Sequence, residues 1–173
     1  MKTLVKEKEI AVKAALAAGV LLRRHLGKLQ DKDIDIKIRF DYVTVVDKQS
    51  ETLIVETIRG TFPKHKFFAE EIHRDERGGF RWIIDPLDGT TNFIHSVPAF
   101  AISIGLELDQ EMVLGVIYDP MRKELFVAEK GHGAFLNNQP IHVSAIDQPE
   151  RALLATGFPF RSHEHLEEYL LSF

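Results

Sequence analysis

Four carboxylates stand at the ends of two short apolar runs: Glu70 and Glu71 after Phe67-Phe68-Ala69, and Asp85 and Asp88 after Trp82-Ile83-Ile84. Bulky apolar runs of this length read as buried strands, and each gives way abruptly to acid. Pro86 fixes its own φ and keeps Asp85 out of the helical region, so the chain is expected to turn there. Asp88-Gly89 lets it turn again before Thr90 opens a short helix. If the two strand ends are neighbours, their acids converge. Two like charges about 4 Å apart repel by roughly 4 kcal/mol at an effective dielectric of about 20, so such a cluster requires cations. Nearby Lys and Arg could supply them, but oxygen-rich, sulfur-free surroundings poor in His suit hard cations, Mg²⁺ before Zn²⁺. The flexible Gly89, the hydroxyls of Thr90 and Thr91 and the free amides of a helix start make an anion site in the same stretch.

Asp-Pro and Asp-Gly are also among the commonest turn pairs, and alone they indicate a loop. The chain contains its own comparison. Asp119-Pro120 follows another apolar run, 113–118, but continues into Met121-Arg122-Lys123 with no second acid, as a simple hairpin turn requires. The Asp85 stretch differs in having acids on both sides of its turn and a second acidic strand end in Glu70-Glu71. Spacing disfavours two other chemistries. An aspartyl-phosphate phosphatase would want two Asp separated by one residue, whereas Asp85 and Asp88 have two between them. A Ca²⁺ loop would want acids at alternate positions with a closing Glu.

The elements that must position these groups follow from periodicity. Ile10, Ala14, Ala17 and Leu21 at helical spacing predict a first helix over about 4–26, stopped by Gly27, with Arg23, Arg24 and His25 where the helix dipole favours positive charge. Its many small Ala residues favour close packing on another element over a membrane-surface role. Ile34, Ile36 and Ile38 alternate with charged residues, Lys37 among them, and predict an early strand or hairpin. Asp47 precedes a second predicted helix, about 48–60, and reads as its N-cap. Strands over 100–108, 112–118 and 124–130 and a short piece through Phe135 then alternate with turns at Asp109-Gln110, Asp119-Pro120, Gly131-His132-Gly133 and Asn137-Asn138-Gln139-Pro140, an antiparallel meander. Flanked by the two helices, it predicts an α+β fold of alternating helix and sheet layers, not a parallel doubly wound one. A boundary near Asp147-Gln148-Pro149-Glu150 separates a metal- and phosphate-binding domain, 1–148, from the start of a second α/β domain, 149–173. In the latter, 152–155 reads as a strand and Ser162 as the N-cap of a helix carrying Leu166, Leu170 and Phe173.

At 173 residues the chain is long enough for one well-filled core, and 45% hydrophobic with 28% charged is an ordinary globular balance. No apolar run approaches a bilayer span, and the charged start has no signal-peptide core, so no membrane association is expected. Without Cys, disulfide and thiolate chemistry are excluded, and the cytoplasm is the expected location. A net charge of −4 with dispersed basic residues predicts no nucleic-acid partner.

The order Glu70-Glu71, then Trp82-Ile-Ile-Asp-Pro-Leu-Asp-Gly-Thr-Thr-Asn-Phe-Ile-His95, resembles the inositol monophosphatase family of Mg²⁺-dependent, lithium-sensitive phosphatases. The resemblance runs in order from Asp41-Tyr-Val-Thr-Val-Val-Asp47 to Gly131-His-Gly-Ala-Phe135 and Ala155-Thr-Gly-Phe-Pro-Phe160, most of the chain. Where many members carry Gly before the acidic pair, Ala69 stands here.

The resemblance implies an α/β/α/β/α sugar-phosphatase fold whose second domain is incomplete in 173 residues, since members run on for roughly half this length again. It implies Mg²⁺, two or three ions in a complete protein: Glu70, Asp85 and the Leu87 carbonyl at the first, Asp85 and Asp88 beginning the second. The family completes the second site from a later Trp-Asp motif, which is absent because Trp82 is the only Trp. Glu70, Thr90 and Asp47 would be catalytic, with Asp47 contacting Thr90 to orient the attacking water; Asp88, Gly89, Thr90 and Thr91 would bind phosphate, and Glu71 and Lys37 would support them from behind. The implied reaction is hydrolysis of a sugar or polyol phosphate monoester by metal-activated water, with inositol 1-phosphate leading. Fructose 1,6-bisphosphate, broad specificity, or a non-catalytic metal-binding or dimerisation fragment are the alternatives. A homodimer is implied by resemblance alone.

Overall fold

The computed structural model describes residues 4–38, 41–69, 78–157 and 166–171, with the backbone alone for 36–38 and 41. Helix α1, Val5–His25, buries Ala11, Ala14, Ala15, Ala18, Gly19 and Leu22. This stripe is rotated from the predicted one: Ala14 is buried, but Ile10, Ala17 and Leu21 only flank it. Small side chains win the inner face because α1 lies against both α2 (Val45–Arg59) and the sheet, where bulk would hold it off. Gly19 is the tightest point. A Cβ there would sit 2.5 Å from Tyr118 Cε1 and 3.1 Å from Pro120 Cβ. Gly to Ala inside a helix ordinarily gains about 1 kcal/mol. Gly19→Ala is instead expected to cost about 1 kcal/mol net, because overpacking outweighs propensity. A lowered urea midpoint would show it.

A short hairpin, β1 (Ile34–Ile38) with β2 (Asp41–Thr44), precedes α2. The main sheet has seven strands in sequential order: β3 (Lys66–Ala69), β4 (Phe80–Asp88), β5 (Ala101–Leu108), β6 (Glu111–Asp119), β7 (Glu124–Glu129), β8 (Gly133–Leu136) and β9 (Gln139–Ile141). β3 and β4 are parallel and every later pair is antiparallel. One face, carrying Trp82, Ile84, Ile102, Ile104, Leu106, Leu114 and Val116, is buried in the core that α1 and α2 share. The fold is α+β, a helix layer on a mainly antiparallel sheet.

The hairpin turns use left-handed backbone at Asp109-Gln110 and Asn137-Asn138, the geometry that matches strand twist. The last of these turns is shorter than predicted. Gln139 and Pro140 belong to β9, where an edge position excuses the missing N–H of Pro140. Glu129, buried on β7, accepts hydrogen bonds from the Leu4 amide (2.8 Å) and Lys8 Nζ (3.3 Å), tying the start of α1 to the sheet.

The predicted strand at 152–155 is not formed; 152–157 is irregular after a 3-10 turn at Pro149–Arg151. Leu153 and Leu154 are 98% and 79% exposed, and a strand exists only by pairing, which an apolar pattern cannot supply alone. Helix α4, Leu166–Leu170, is present, while Ser162 and Phe173 lie outside the described residues.

Beneath the starts of β3 and β4, His65 stacks between Phe62 (ring centroids 4.5 Å apart) and Phe80 (4.8 Å). The fully buried Trp82 donates Nε1–H to His65 Nδ1 at 3.1 Å, which requires a neutral ring. Burial holds the His65 pKa below its ordinary 6.5, against an opposing pull from Glu7 on α1. Below that ordinary value the unfolded chain takes up a proton that the folded chain resists. Stability is therefore complete above pH of about 7 and falls as pH drops through about 6.5 towards the folded value. Urea midpoints followed by fluorescence of Trp82, the sole Trp, are expected to decline between roughly pH 7.5 and 5.5, with a smaller slope in His65→Phe.

Candidate active site

β4 does not stop at Asp85. The predicted turn at Pro86 is a β-bulge: Asp85 pairs with Ser103 and Asp88 with Ala101, so Pro86 and Leu87 together oppose Ile102. The consequence is geometric. Residues three apart on a regular strand point to opposite faces, but the extra residue puts Asp85 and Asp88 by register on one face, opposite two β5 residues spaced by two. Pro86 suits this place because a bulge leaves N–H groups out of the ladder. Asp85 Oδ1 accepts the Leu87 amide at 3.2 Å, which stiffens the bulge from within.

Gly89 follows with φ of 97° and ψ of 34° as the residue before α3, Thr90–Ile94. Its missing Cβ is a second requirement, since that atom would lie 2.9 Å from the Ala99 carbonyl oxygen and 3.2 Å from Phe100 Cβ. Asn92 Nδ2 donates to the same Ala99 carbonyl at 2.8 Å, closing the segment between α3 and β5. Thr90 Oγ1 lies 3.1 Å from Asp47 Oδ1 and 3.1 Å from the Leu87 carbonyl. One hydroxyl proton cannot serve both acceptors fully, so the two share it.

Asp47 is not the N-cap of α2. Thr44 is, and Asp47 sits three residues on in a capping box: Asp47 Oδ2 accepts the Thr44 amide (2.9 Å) and hydroxyl (2.5 Å), while Thr44 Oγ1 accepts the Val46 and Asp47 amides. The helix therefore begins at Val45, earlier than the predicted start, because Thr44 caps better than the sequence position of Asp47 suggested. With Oδ2 engaged at the cap, Oδ1 faces Thr90, 43 residues away; the contact implied by the resemblance is present. One turn on, Ser50 Oγ donates to the Pro86 carbonyl at 2.9 Å. Thr44, Asp47 and Ser50 are all buried, a polar strip on α2 pressed against the bulge. Sequence reading missed Ser50. Its signal was spacing: it lies three residues after Asp47 and so shares its helix face.

The two acidic strand ends are neighbours as inferred, since β3 and β4 are parallel with Ala69 opposite Ile84, each preceding its acid in sequence. Glu70 and Glu71 themselves, and the side chain of Lys37, lie outside the described residues. Asp85, Gly89 and Thr90 are half-buried and Asp88 and Thr91 are exposed. Among the described residues no three His, Asp or Glu side chains converge as a metal cluster. The donors that this strand end offers, the Asp85 and Asp88 carboxylates and the Leu87 carbonyl, are all oxygen, a set that fits a hard divalent cation and not a thiophilic one.

A mainly antiparallel sheet under two helices, with carboxylates on a bulged strand end leading into a Gly-Thr helix start, defines a class. The chain belongs to the inositol monophosphatase family, whose profile matches residues 4–172. Among its relatives is Nus factor SuhB of Pseudomonas aeruginosa, 43% identical over 170 residues, 95% of this chain and 63% of that protein. Another is a fructose-1,6-bisphosphatase/inositol-1-monophosphatase of Aquifex aeolicus, 40% identical over 98% of this chain and 65% of that protein. The chain thus spans under two thirds of the length of these relatives. Similar solved structures include the Thermotoga maritima IMPase (34% identical, TM-score 0.80, covering 94% of this chain and 65% of that one). The inositol monophosphatase of Anabaena also matches (41% identical, TM-score 0.71, 84% and 52%). Among the described residues no helix is long and apolar enough to cross a membrane.

Proposed function

We propose that the protein hydrolyses a phosphate monoester of a sugar or polyol, with inositol 1-phosphate as the first substrate to test. The observation that carries this reading is the Thr90 hydroxyl held by Asp47 beside a bulge that puts Asp85 and Asp88 on one face. Donating its proton to Asp47 leaves the Thr90 oxygen with lone pairs free to accept a hydrogen bond from water, and so to aim that water. Glu70 would take the proton that the water gives up. The Gly89 and Thr90 amides at the helix start would hold phosphate oxygens, with the Thr91 hydroxyl beside them. Asp85, Asp88, the Leu87 carbonyl and Glu70 would hold Mg²⁺, which when bound supplies a Lewis acid for the phosphoryl and leaving oxygens. Glu71 and Lys37 would tune the site from behind.

Residues 1–148 would form the metal- and phosphate-binding unit and 149–173 would begin a second one that carries much of the sugar recognition. The two-activity name of the Aquifex relative makes fructose 1,6-bisphosphate the substrate to compare. The test is release of inorganic phosphate from both esters with Mg²⁺ and with EDTA. Mg²⁺-dependent release supports the reading, whereas no release from either ester, with Mn²⁺ bound normally, would favour a non-catalytic metal-binding module.

A further inference from the structure

We infer that Ser50 is a positioning residue for the cation-binding carboxylates, acting through the backbone of the bulge; this rests on the reading of Asp85 and Asp88 as cation ligands. The bulge takes Pro86 and Leu87 out of one-to-one pairing with β5, so their carbonyls must find donors elsewhere. The Leu87 carbonyl shares the Thr90 hydroxyl proton with Asp47. The Pro86 carbonyl takes Ser50 Oγ at 2.9 Å, from a side chain that is fully buried on α2, 36 residues away. Pro86 lies between the two proposed ligands, and its backbone sets the direction in which Asp85 and Asp88 leave the strand.

Ser50 is also held from behind. It follows the capping box by one turn, and the start of α2 is fixed by Thr44 and Asp47, so the backbone that carries the hydroxyl is held in place. The same stretch of α2 thus holds the bulge through Ser50 on Pro86 and the start of α3 through Asp47 on Thr90. A buried hydroxyl that only stabilised the fold could sit anywhere on the inner face of α2. This one meets the carbonyl of Pro86, one of the two residues between the acids.

The test is the Mn²⁺ dissociation constant of the whole chain by EPR, with thermal melting alongside. Ser50→Ala is expected to weaken Mn²⁺ binding by about tenfold, as loss of an outer partner of a metal site does. Ser50→Thr, which keeps the hydroxyl, is expected to restore much of the affinity. Thr57→Ala removes another α2 hydroxyl, bonded at 2.7 Å to the Leu53 carbonyl within the helix, and measures the cost of a purely structural deletion. It is expected to leave the Mn²⁺ constant within about twofold. If Ser50→Ala matches wild type in Mn²⁺ affinity while Asp88→Asn loses binding, the positioning role is wrong and the site stands. If Asp88→Asn binds Mn²⁺ as wild type does, the site reading fails and the role of Ser50 falls with it.

Discussion

Asp88→Asn is expected to reduce Mg²⁺-dependent phosphate release by about 10³-fold, equivalent to about 4 kcal/mol of transition-state stabilisation. The substitution keeps the shape of the side chain and removes its charge, so what it tests is the carboxylate alone. Asp88 is exposed at the end of β4 and pairs with Ala101 through its backbone, which Asn preserves. The fold should therefore be indifferent. In EDTA the melting temperature should stay level or rise slightly, because the change removes like-charge repulsion with Asp85 on the same face. Adding Mg²⁺ should raise the melting point of wild type and leave that of the variant nearly unmoved, since a ligand stabilises only the state that binds it. Near-normal turnover would remove Asp88 from the site, and a large loss of melting temperature in EDTA would mean that it serves the fold.

Gly89→Ala is expected to do the reverse, damaging fold and site together. At φ of 97° the backbone is in the left-handed region, where a Cβ costs about 1–3 kcal/mol by itself. The new methyl would also meet two backbone atoms, the Ala99 oxygen at 2.9 Å and Phe100 Cα at 3.3 Å, neither of which can swing aside as a side chain can. Strain and overpacking together come to about 2–4 kcal/mol, a fall of roughly 5–15 °C in melting temperature for a chain of this size. Because relief can come only by moving α3 away from β5, the Thr90–Asp47 contact should be lost, and activity should fall even well below the melting temperature. A melting temperature unchanged within about 2 °C would contradict the tight approach of Gly89 to Ala99 and Phe100.

The contrast between these substitutions marks what periodicity and composition can reach. The two early helices, the strands β5 to β8 and the turns at Asp109-Gln110 and Gly131-His132-Gly133 are local matters, set by side-chain spacing and by which residues tolerate left-handed backbone. The same holds for the oxygen-rich character of the site, since Asp85, Asp88, Gly89 and Thr90 are adjacent in sequence and their chemistry travels with them. Errors arose where a local signal was answered by a distant partner. Pro86 reads as a turn because it breaks a ladder, but β5 accommodates it as a bulge. Asp47 reads as a cap, but Thr44 takes that role, and the second oxygen of Asp47 reaches Thr90. The stretch 152–155 reads as a strand, but it pairs with no other segment among the described residues, and an apolar pattern alone cannot make a strand.

By itself the sequence determined which groups could do chemistry and the order in which the chain delivers them. Tertiary structure alone decided that Asp85 and Asp88, three apart, share a face, and that Ser50 of α2 reaches the Pro86 carbonyl of β4. The physical reason is that side-chain chemistry is carried by each residue, whereas direction is set by hydrogen bonds between segments tens of residues apart, which no local window contains.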